Sequence, residues 1–214
     1  LYVVHYGGTL HRLVAGSTGE GSIAIELSAT ACVLADDATR PAVGLIPYAP
    51  NAAFWSDGAD KERFLAVPDG ATIRAGAAGD LEFPVGTVLV KNFLIGARRV
   101  ETRLFMRHTD GEWAGYTYEW NAQGTDATRV IGGKTASVAG QAWVYPSEAQ
   151  CLACHTEAAG RSLGLELGQL NGAFTYSQTG RSANQVVTLN AIGMFSPAVT
   201  TAPTPVSTAA KAPS

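Results

Sequence analysis

Two cysteines and a histidine have the types and spacing to do specific chemistry: Cys151, Cys154 and His155, in the run Gln150-Cys-Leu-Ala-Cys-His-Thr156. Two intervening residues let one helical turn present both sulfurs on one side. A C-x-x-C-H run is the signature of covalent haem attachment. Its thiols add to the two vinyl groups of the porphyrin, and the adjacent imidazole supplies an iron ligand. One covalent haem c is therefore expected, carrying one electron at a potential set by axial ligands and burial. Rival uses of these residues need partners the sequence lacks. A thioredoxin-type dithiol belongs in a βαβ unit. Zinc needs a second ligand pair, and Cys32 is the one cysteine left over; it reads as a small buried apolar residue.

A second protein ligand to iron has few candidates. Met194 follows a predicted helix end, from which a loop-borne thioether can cross to the far face of a porphyrin. Met106 and His108 alternate with Val100, Thr102 and Leu104 on one strand face. His5 and His11 are distant in sequence. Core packing is the competing role for either methionine. An open sixth position is the remaining alternative, with gas binding or peroxide chemistry. One of Arg98, Arg99, Arg103 and Arg107 is a candidate donor to a haem propionate. The cluster from Trp55 to Arg63 reads either as a docking surface with an aromatic anchor or as a tight turn built on Asp57.

These groups need elements to hold them. Ser147 and Gln150 form an S-x-x-Q capping box, so a helix begins just ahead of the cysteines, with Gly160 as its stop. Asn184 caps a second helix ending at Gly193. From Phe54 to Val144 short strands dominate, and Asp110-Gly111 between Arg99–His108 and Trp113–Trp120 is a strong hairpin signal. The expected fold class is α+β: an antiparallel β-rich domain of seven or eight strands, followed by a small helical cytochrome c-like haem-binding segment. Boundaries fall at 1–22 (the end of a preceding domain, with a Gly7-Gly8 hairpin, and a linker), 23–145 (β-rich), 146–196 (haem-binding) and 197–214 (flexible tail rich in Ala, Pro, Thr and Ser).

Several stretches resemble a bacterial family of secreted haem c-containing proteins, found alone or fused to other domains. These are Leu45–Tyr48 to Trp55–Gly58, Arg99–Arg103, Gly115–Tyr118 with Trp120-Asn121, and Tyr145–Ser147 with Cys151–His155. The resemblance spans roughly residues 27–195. Separately, Leu1–Arg12 resembles the closing strands of glucose/sorbosone-type quinoprotein dehydrogenases, β-propellers that oxidise sugars or alcohols. That likeness implies a chain that is the cytochrome end of a fusion, with a quinoprotein dehydrogenase as electron donor.

Composition sets the outer bounds. The chain has 214 residues, 46% hydrophobic and 15% charged, with net charge −3. It has no basic patch for nucleic acid and no apolar run for a membrane span. No Ser-His-Asp set or phosphate loop appears. Haem is attached to such motifs outside the cytoplasm, so a periplasmic or extracellular location is expected. The leading expectation is a mono-haem electron-transfer domain, a monomer or part of a larger chain. It would take electrons from a quinoprotein dehydrogenase and pass them to a redox protein such as a secreted copper oxygenase. A haem enzyme with an open distal site is one alternative. A carbohydrate-binding module using Trp55, Trp113 or Trp120 is another.

Overall fold

A computed structural model describes residues 23–207, together with the backbone of two strands near the start. Those two, Tyr2–Val4 and Leu10–Arg12, pair antiparallel; the Gly7-Gly8 turn between them and His5 lie outside the described residues. The centre of the fold is one six-stranded antiparallel sheet whose strands lie in chain order. We label them β1 (Ile46–Pro47), β2 (Asp60–Ala66), β3 (Val88–Ile95), β4 (Arg98–Arg107), β5 (Trp113–Trp120) and β6 (Ala127–Arg129). The β4–β5 hairpin forms as the Asp110-Gly111 signal predicts, pairing Glu101 with Glu119 through to Arg107 with Trp113.

Alternation sorts side chains to the two faces of this sheet. On one, Phe64, Val90, Leu104, Tyr116 and Tyr118 meet Leu27, Cys32, Val33 and Ala38 from the preceding segment. Burial pushes the Cys32 thiol up to about 11, as befits a core residue. Leu65, Leu89 and Phe105 on the other face meet Leu165, Leu167, Leu170, Val186, Leu189 and Phe195 from the C-terminal part. A third cluster closes one end, where Phe93 and Val100 pack on Trp143 and Tyr145 of the hairpin Lys134–Val138 with Gln141–Tyr145.

The C-terminal part corrects the expected fold class. Strand makes up 39% and helix 13%, and no helical cytochrome-like segment is present. Residues 146–196 hold three short helices, α1 (Glu148–Cys154), α2 (Leu167–Leu170) and α3 (Gln185–Ala191), plus the hairpin Ala173–Tyr176 with Arg181–Asn184. None of these helices exceeds seven residues, too short to pack on one another as a self-contained bundle. They are laid instead on the sheet face, where Cys151, Leu167, Leu170, Val186 and Leu189 are buried.

Side-chain amides fasten this cover to the chain ahead of β2. Gln185, 2% exposed, accepts from Ala49 N and donates to Ala49 O. Gln169 accepts from Ala52 N, and Asn51 donates to the carbonyls of Gly168 and Asn171. Gly172 permits the last contact: a Cβ there would fall 2.1 Å from Asn51 Oδ1. Farther on, Asn171 Nδ2 donates to Pro203 O and Val206 N to Gly168 O, so the chain up to Val206 lies along α2.

Candidate functional site

α1 begins where the capping box predicts. Ser147 Oγ accepts from Gln150 N, and Gln150 Oε1 accepts from Ser147 N. The helix ends earlier than Gly160, at Cys154, with His155 as its C-cap. A separate turn, Glu157–Ala159, is the one Gly160 stops, with φ 63°. Cys151 on α1 is buried and Cys154 is exposed. Room for Cys151 comes from β5: a Cβ on Gly115 would stand 2.6 Å from its Sγ.

His155 is held in one tautomer. Its Nδ1 lies 2.6 Å from the Arg161 carbonyl oxygen, which only accepts, so Nδ1 bears the proton and Nε2 keeps its lone pair. Burial lowers its proton affinity, partly offset by that hydrogen bond, so the ring is neutral. Phe105 packs on the ring with centroids 4.0 Å apart. The loop that offers the carbonyl is strained: Arg161 and Leu163 sit at φ 59° and 44°, left-handed values that cost non-glycine residues about 1–3 kcal/mol each.

Cys151, Cys154 and His155 line one cavity of about 530 Å³ between the sheet and the C-terminal cover. Leu89, Phe105 and Leu165 give it apolar walls, and Phe54 stands at its edge. Lys61, Arg63, Lys91 and Arg103 also line it. Burial, reinforced by the positive charges of Arg63, Arg103 and Lys61, pulls Lys91 down to about 8.

The other sequence candidates lie elsewhere. Met194 packs against the core beside Phe195, and its backbone bonds to Ile73 and Leu189. Met106 packs on the opposite sheet face, because it alternates with Phe105, which takes the cavity side. His108 bonds through Nε2 to Tyr116 Oη at 2.9 Å. None of the three lines the cavity. Arg99 pairs with Glu62 at 2.8 Å, Arg107 reaches the Phe83 and Gly111 carbonyls, and Arg103 alone of the four hairpin arginines reaches the cavity.

Of the tryptophans offered for sugar binding, Trp120 is 4% exposed and bonded to Thr102. Trp113 stacks on Phe105 at 5.0 Å. Trp55, 76% exposed, is the one at the surface. Its segment is a turn with Asp57 and Gly58 both left-handed.

Lys91 does not figure among the sequence candidates, and Arg63 does so only as the last residue of the Trp55–Arg63 cluster. Their signal was a charge inside a strand run, as in Val88-Leu-Val-Lys-Asn-Phe. Among the described residues no group of three or more His, Cys, Asp or Glu side chains comes together. No helix among the described residues is long and apolar enough to cross a membrane. No protein-family model, curated protein or solved structure matches the chain.

Proposed function

We infer that the chain is a mono-haem electron-transfer domain, with haem c joined to Cys151 and Cys154 and ligated by His155. One observation carries this reading: both thiols of the attachment motif and an imidazole already fixed in its metal-binding tautomer face a single cavity. The residues fit the group. Both thiols line the cavity, the apolar walls suit a porphyrin face, and Gly115 leaves space for the buried cysteine. When bound, haem supplies a one-electron couple. The protein's part is to keep His155 neutral through burial, to orient it through the Arg161 carbonyl, and to screen the cavity from water with Phe105, Leu89 and Leu165.

A quinoprotein dehydrogenase as donor and a secreted copper oxygenase as acceptor are the partner classes proposed, in a periplasmic or extracellular setting. Maturation in a host with a cytochrome assembly system should yield a coloured protein one haem heavier than the polypeptide. The Cys151→Ala/Cys154→Ala variant should lose that mass. A colourless wild-type protein of bare polypeptide mass overturns the reading.

A second reading rests on a specific observation. Among the described residues, His155 is the sole histidine or methionine lining the cavity. An iron ligated only by His155 would keep an exchangeable sixth position, as a gas-binding or peroxide-reducing haem protein requires. A high-spin absorption spectrum that shifts on adding carbon monoxide or cyanide favours it; a low-spin spectrum indifferent to cyanide favours electron transfer alone.

A further inference from the structure

The cavity floor is organised in rows across the sheet. Leu65, Leu89, Phe105 and Gly115 are direct partners on four adjacent strands. Two residues along, about 7 Å at ordinary strand rise, the partners are Arg63, Lys91 and Arg103. Like charges set directly opposite one another destabilise a sheet, and here three cations stand abreast. Lys61 lies two residues from Arg63 on β2 and adds a fourth.

Compensation within the protein is incomplete. Arg103 is held by Glu101, with Nε 2.6 Å and Nη2 2.9 Å from its two carboxylate oxygens. Lys61 donates to the Phe54 carbonyl. Arg63 is 8% exposed and its guanidinium makes no hydrogen bond or ion pair among the described residues. Lys91 makes none either. Among the described residues no carboxylate lines the cavity. The remaining ionisable groups on its walls are Tyr48, whose hydroxyl burial holds protonated, and the three motif residues. A guanidinium that leaves a largely buried residue to face an apolar-walled cavity without a counter-charge is poorly compensated, so the arrangement points to an anion supplied from outside the polypeptide.

Haem is such an anion, with the matching polarity. Its vinyl groups become the thioethers at the cysteine end, where the floor is apolar and Gly115 touches Cys151. Its two carboxylates lie on the other side of the ring. We propose that Arg63 and Lys91, flanked by Arg103 and Lys61, form a carboxylate clamp for the two propionates of the haem attached at Cys151 and Cys154. This rests on the haem reading above. Arg63 is suited to bidentate carboxylate binding, and Lys91 acts as a point charge beside it.

The test is a redox titration of the haem-loaded protein, read by absorbance. Arg63→Met and Lys91→Met leave propionate charge unneutralised, which favours the oxidised form. Each should lower the reduced-to-oxidised ratio at fixed applied potential about tenfold, equivalent to about 59 mV for one electron. Arg63→Lys and Lys91→Arg restore the charge and should return the ratio to within about threefold of wild type. Inorganic phosphate at constant ionic strength should leave the wild-type midpoint unmoved, because the clamp is already filled. Full haem loading with midpoints unchanged in both Met variants overturns the clamp while leaving the haem reading intact. A wild-type midpoint that falls as phosphate is added also overturns it, since the cations are then open to free anions. Absence of covalent haem in wild type overturns the parent reading itself.

Discussion

At the scale of single residues, the chemistry turns on charges held where water is scarce. Lys91 is pulled to about 8 from its ordinary 10.5, so in the haem-free protein its burial opposes folding. Below pH 8 both folded and unfolded chains carry the proton, and the penalty is fully present. Between 8 and 10.5 the unfolded chain holds more proton than the folded one, so this residue's contribution to stability rises with pH. In the Cys151→Ala/Cys154→Ala background, Lys91→Met should therefore be more stable than its parent at pH 7, with an advantage that shrinks toward pH 10.5. Urea denaturation across that range checks it; a constant difference would mean that Lys91 is not electrostatically strained. That Cys151, Cys154 and His155 belong to one site was legible in the sequence because they stand within one five-residue run. The cations were not, because register across three strands is what makes them neighbours.

For the elements, the contact of α1 with β5 positions the site. Gly115 has no Cβ where one would meet Cys151 at 2.6–2.7 Å, with Phe105 at 3.3 Å on the other flank. Neither neighbour can retreat: Phe105 is wedged between the rings of Trp113 and His155, and α1 is pinned by its capping box. Gly115→Ala should cost about 1–3 kcal/mol in stability as an overpacking change and lower haem loading. Thermal melting and the haem-to-protein absorbance ratio measure the two effects; an unperturbed melt would show that α1 shifts freely. The start of α1 could be read from Ser147 and Gln150, and the β4–β5 hairpin from Asp110-Gly111, because caps and turns are local. Strand β4 was read with one buried face, carrying Val100, Thr102, Leu104 and Met106. The structure buries Glu101 and Phe105 on the reverse as well, since a cover folded back from far along the chain encloses that side.

For the whole molecule, the cover and the sheet make one core. Tyr48, Leu65, Ile73 and Leu89 share it with Leu167, Leu170, Val186 and Leu189. Backbone bonds from Ile73 N to Met194 O and from Leu167 N to Gly79 O tie the two parts together. Neither can be removed without exposing the apolar surface of the other. The protein should melt in a single calorimetric transition. A fragment ending at Tyr145 should fail to show it and should bind a hydrophobic dye; a fragment that melts like the intact chain would refute the shared core. Sequence patterning separates these regions because strand signals give way near residue 146 to a helix cap and the Cys151–His155 run. It carries no trace of the amide pairings between residues 49–52 and 168–185, which lie more than a hundred positions apart.

The buried thiol of Cys151 bears on the order of events during biogenesis. Inside the finished fold it packs against Gly115 of β5, and burial raises its proton affinity, so it is a poorer nucleophile there than in an open chain. On the haem reading, the porphyrin is joined more readily to the nascent, still open chain, and the sheet and its cover then close around it. Closure of the polypeptide would thus act as a narrowing door, after which a chain that missed its cofactor is less competent to receive it.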